Sequence, residues 1–327
     1  MTLEEFLKLD NPQEYDFSND GASDDYKKLD GIEKFFAYMM VMKKETFMDY
    51  QGKEELFRSA SKTVLNEVSK YRVSDPDSNS KLLQEIYKVL WDIKPNMKNC
   101  ISIQGETLNS ANTTLNEFYS SIEDKKENKE EKDKRESIIN ENGIQRVSIF
   151  FILSKYLIEK NNSKIIKELI ESDELTTFLR SYHTIGNFMP VPTGCNSPRG
   201  YQNNKIEDYW DLTLLHIYNY YIDGTYQDVV DIVKSKNAKV YKEWLDTFGA
   251  NLKGWHNFVK INYLEPFVNI EDEKYFPKEL WAGHFTSDIV KPQDYHECIE
   301  YFKNASEMIS KRGESMIKKL ASRIETN

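Results

Sequence analysis

Apolar residues recur at three- and four-residue steps along most of the chain. Phe35, Phe36, Met39, Met40 and Met42 mark one helix face, and Leu56, Val64, Leu65 and Val68 continue the habit. Pro76-Asp77 interrupts it. Leu82, Leu83, Ile86, Tyr87, Leu90 and Trp91 predict an amphipathic helix that stops near Pro95. Residues 149–158 are dense enough for a central core helix, and 165–170 and 175–179 for two shorter ones. Beyond them, 212–221, 229–233, 240–248 and 255–267 predict four more. Residues 295–324 read as one long terminal helix after a loop at 277–292. Alternating strand patterns are nearly absent, with room for a short hairpin near 189–191. The expected fold class is mainly α: one compact helical body with a rigid Pro/Gly-rich central loop and at most a short hairpin. No internal repeat is visible.

Two stretches lack this periodicity. Residues 10–31, rich in Asn, Pro, Asp, Ser and Gly, read as an irregular leader. Residues 123–136 are charged at every position but Asn128, and the signs nearly cancel. Such a run cannot bury enough surface to offset its ordering entropy. It reads as an exposed insertion, 123–137, between an N-terminal helical part, 1–122, and a C-terminal helical part, 138–327. The two parts are expected to pack together as one domain.

Composition narrows the classes. Aromatic residues make up 13% of the chain, which excludes general disorder. With Lys+Arg 44 against Asp+Glu 54, the net charge of −10 opposes coating of nucleic acid through overall charge, and leaves a local basic patch open. Cys100, Cys195 and Cys298 are far apart and odd in number, so neither a disulfide framework nor a Cys-x-x-Cys metal site is expected. The opening Met1-Thr2-Leu3-Glu4-Glu5-Phe6 has no basic region followed by an apolar run. The expectation is a cytoplasmic protein without a membrane span. No phosphate-binding glycine loop, dinucleotide fingerprint or Gly-x-Ser-x-Gly elbow occurs, so ATPase, dehydrogenase and α/β-hydrolase readings fall away.

The chemistry concentrates at 182–200. This segment holds three Pro and three Gly, residues that fix backbone shape, together with His183, Asn187, Asn196 and Arg199. A rigid loop presenting polar groups is where function usually sits. Two other segments are expected to converge on it. In 105–116, Glu106 and Asn109 stand in a Ser/Thr/Asn-rich phrase suited to capping a helix N-terminus, which can also hold an anion. Asp208 and Asp211 begin an apolar helix three residues apart, on one face. Capping explains them; with a histidine they would also suit Mg²⁺ or Mn²⁺. His216, His256, His284 and His296 sit in apolar or aromatic surroundings typical of packing.

The phrase His183-Thr184-Ile185-Gly186-Asn187-Phe188, followed by Asn196-Ser197, resembles the second half of an HNH nuclease module of the modification-dependent restriction enzymes. There a ββα element holds one divalent metal beside the scissile phosphate. The resemblance implies Asn187 as the residue that orients the base and Asn196 as the one on the finger helix. The Asp-His pair that begins such a module has no counterpart before Arg180. Completing it here would need His183 as base, Asp208 and Asp211 as metal ligands, and Arg199 on the phosphate. Over most of the chain, the phrases 105–110, 113–116, the His183 loop, 208–214 and Glu279-Leu280-Trp281 also resemble a family of uncharacterised proteins from Gram-positive bacteria, which implies a single fold and no particular activity.

Two functions follow as expectations. The first is a non-catalytic binding or regulatory protein that uses the 182–200 loop as scaffold or partner surface. The second is a divergent metal-dependent nuclease acting on nucleic acid, of phage-defence type.

Overall fold

The computed structural model describes residues 1–42, 70–91, 168, 171–191, 209–223, 235–271, 274–286 and 295–325. The expected segments at 105–116, 123–137 and 149–158 lie outside them, as do Asn196, Arg199, Glu106, Asn109 and Asp208.

The chain opens with α1 (Leu3–Leu7), closed by a capping box in which Thr2 and Glu5 satisfy each other's backbone N–H. Two 3₁₀ turns (Pro12–Glu14, Phe17–Asn19) and the short α2 (Asp24–Lys27) lead to α3 (Gly31–Met42). Pro76 begins α4 (Pro76–Asn79), where its missing N–H costs nothing, and α5 follows (Lys81–Trp91). Next come α6 (Asp173–Ser181), a 3₁₀ turn (Ile185–Asn187), α7 (Trp210–Asp223), α8 (Ser235–Asp246) and α9 (Asn251–Ile261). A 3₁₀ turn (Glu265–Phe267) leads into the antiparallel pair β1 (Val268–Glu271) and β2 (Lys274–Pro277), with Val268 opposite Pro277. The terminal α10 runs Tyr295–Glu325.

The protein is thus mainly α. Among the described residues the paired hairpin stands at 268–277; near 189–191, Pro190 forms an isolated β-bridge, with Met189 and Val191 buried in the core on either side. Val268-Asn269-Ile270-Glu271 does alternate, but it is short enough to be absorbed into the preceding helical pattern.

Helix α10 organises the body. At 31 residues it is about 46 Å long. Its buried stripe is Cys298, Tyr301, Phe302, Ala305, Ile309, Arg312, Gly313, Met316 and Leu320, the spacing of one helix face. The first half joins a large aromatic core with α3, α6, α7, α8 and α9. The second half joins a smaller core of Phe6, Phe17, Leu82, Ile86, Tyr87, Ile185 and Phe188. Arg323 closes that end by donating to the last-turn carbonyls of Val89 and Leu90 in α5.

The expected irregular leader is a packed part of the structure. Phe17, Ala22 and Tyr26 are buried, and the Phe17 N–H donates to the His183 carbonyl at 3.0 Å. Asp20 accepts from Tyr15 Oη at 2.5 Å and from Ser80, whose oxygen also caps α5. Single anchors at irregular spacing hold this segment, so no period in the sequence reveals them.

Candidate functional site

The His183–Phe188 phrase forms the tightest junction of the described residues. Gly186 lies against α10 so closely that a Cβ there would stand 1.9 Å from the Ile309 carbonyl oxygen. Gly313 leaves room on the other side; its own Cβ would meet Gln13 at 3.2 Å. A glycine inside a helix costs about 1 kcal/mol, and this close approach is its physical return. From the next position on α10, Arg312 reaches across the turn. Its Nη1 donates to the carbonyls of Gly186 (2.6 Å) and Phe188 (2.8 Å), and its Nε to that of Asn262 (3.0 Å). The guanidinium lies 5.3 Å from the centroid of the Trp210 ring. Burial pushes the Arg312 group down to about 9, which still leaves it protonated and donating at neutral pH.

Asn187 is held at both ends of its amide. Nδ2 donates to the Tyr182 carbonyl at 2.9 Å, and Oδ1 accepts from Trp210 Nε1 at 2.8 Å. Asn187 thus meets the start of α7 through the buried indole of Trp210; the polar pocket expected where 182–200, 105–116 and 208–211 converge lies largely outside the described residues. Asp211 faces elsewhere. Its Oδ1 accepts from the Leu212 N–H (2.9 Å), and its Oδ2 accepts from the Leu280 N–H (2.9 Å) and sits 2.6 Å from His284 Nδ1. His284 stacks on Trp281, with ring centroids 3.4 Å apart. Sequence reading assigned His284 to aromatic packing and missed this bond, which spans 73 residues of chain. Among the described residues, no group of three or more His, Cys, Asp or Glu is placed to hold a metal ion.

His183 is among the residues lining a cleft of about 340 Å³ between the leader, α3, α6 and α10. Its ring is packed edge-on by Tyr38 and Tyr182, each 4.4 Å between centroids. Beside it, Lys34 joins Asp16 at 2.6 Å and Asn19 at 2.7 Å. At the rim, Arg180 grips Asp30 through Nε at 2.9 and 3.0 Å and through Nη2. Asp16 Oδ1 lies 3.8 Å from His183 Nδ1, beyond hydrogen-bond reach. Burial pushes the imidazole down to about 4; Asp16 pulls it partly back and Lys34 adds to the depression.

This gives a pH signature. The unfolded imidazole binds its proton at about 6.5 and the folded one at about 4, so between those values the unfolded state holds more protons. Stability from His183 is complete above pH 6.5 and falls as pH drops toward 4, by about 3 kcal/mol in all. Urea unfolding of the wild type and His183→Phe at intervals from pH 7.5 to 4.5 checks this, because the variant lacks that part of the slope.

Tyr182, His183, Gly186, Asn187, Trp210, Leu280 and Arg312 all fall within residues 57–316, which match the model of one family. The chain belongs to DUF6994, a family of unknown function. The DUF6994 match excludes residues 1–56, and with them Asp16, Asp30 and Lys34 of the cleft. No curated protein and no solved structure is significantly similar to the chain.

The leader residues of the cleft were not visible in the sequence as site residues. The one available signal is the Asp16-Phe17-Ser18 phrase, in which Asp16 Oδ1 accepts from both the N–H (2.9 Å) and the hydroxyl (2.6 Å) of Ser18. That is ordinary turn chemistry.

Proposed function

We propose that this is a non-catalytic binding or regulatory protein of the cytoplasm. In this reading the 182–191 segment is a brace, and the cleft beside His183 is the binding site it holds open. The observation that carries it is the engagement of the polar atoms in the brace. Both ends of the Asn187 amide and both oxygens of Asp211 are bonded inside the protein. An Asn that orients a catalytic base and an Asp that ligates Mg²⁺ would each need such an atom for that task.

The test is incubation of the purified chain with plasmid DNA and with single-stranded RNA, in Mg²⁺ and in Mn²⁺. The expected result is intact nucleic acid in every arm. Metal-dependent cleavage that disappears in His183→Phe, with the fold retained, would replace this reading by the nuclease one.

A further inference from the structure

We draw no further inference here: the strongest candidate, the cleft of about 340 Å³ between the leader, α3, α6 and α10, belongs to the site already described, and its lining among the described residues, where Asp16 pairs with Lys34, Asp30 pairs with Arg180 and Glu14 is exposed, singles out no class of ligand.

Discussion

Gly186→Ala should unfold the protein or cost it at least about 4 kcal/mol, a size reached only by severe core defects. The new methyl would stand 1.9 Å from the Ile309 carbonyl oxygen and 2.8 Å from its carbon. Both are backbone atoms in the middle of a 31-residue helix packed on two cores, so neither can rotate aside. Relief requires separating the turn from α10, which also pulls the Gly186 and Phe188 carbonyls from Arg312. Guanidinium unfolding, with Thr177→Ala as an exposed control expected within about 0.5 kcal/mol of wild type, measures the difference. A Gly186→Ala chain as stable as the control would mean that the junction is not packed as described.

Arg312→Met should cost about 3–5 kcal/mol, although it removes a buried charge. Replacing a whole buried ion pair by apolar residues is often harmless, because both desolvated partners go. Here the partners are three main-chain carbonyls, of Gly186, Phe188 and Asn262, and these stay behind without donors. Each orphaned carbonyl costs about 1–3 kcal/mol, while the methionine keeps part of the packing on Trp210. Arg312→Lys should recover less than half of the loss, since one ammonium cannot reproduce a planar fork over an indole face. Thermal and chemical unfolding of the three proteins orders them as wild type, Lys, Met. Equal stability of all three would contradict a bracing role for the guanidinium.

Helix existence was legible wherever burial follows a period. The 295–324 pattern gives α10, 82–91 gives α5 and 175–179 gives α6, because each presents one stripe to a core. The leader was not legible, since Phe17, Asp20 and Tyr26 act as separate anchors and share no period. Within the site, sequence singled out His183, Asn187 and Asp211, all of which are buried. It left the choice between chemistry and structure open, because that choice depends on distant partners. Trp210 bonds Asn187 over 23 residues, His284 meets Asp211 over 73, and Arg312 meets Gly186 over 126. The His-Thr-Ile-Gly-Asn phrase reads as a nuclease fragment when taken alone. With α10 against it, the same glycine and asparagine have structural reasons for being there.

The most direct measurement is a double-mutant cycle between Asn187 and Trp210, using Asn187→Ala, Trp210→Phe and the pair, with stability as the readout. If the asparagine is a brace, each single change destabilises the protein and the two are coupled by about 1 kcal/mol, the net worth of their shared hydrogen bond. Asn187→Ala at wild-type stability, with no coupling to Trp210, would contradict the account and return Asn187 to the list of functional side chains.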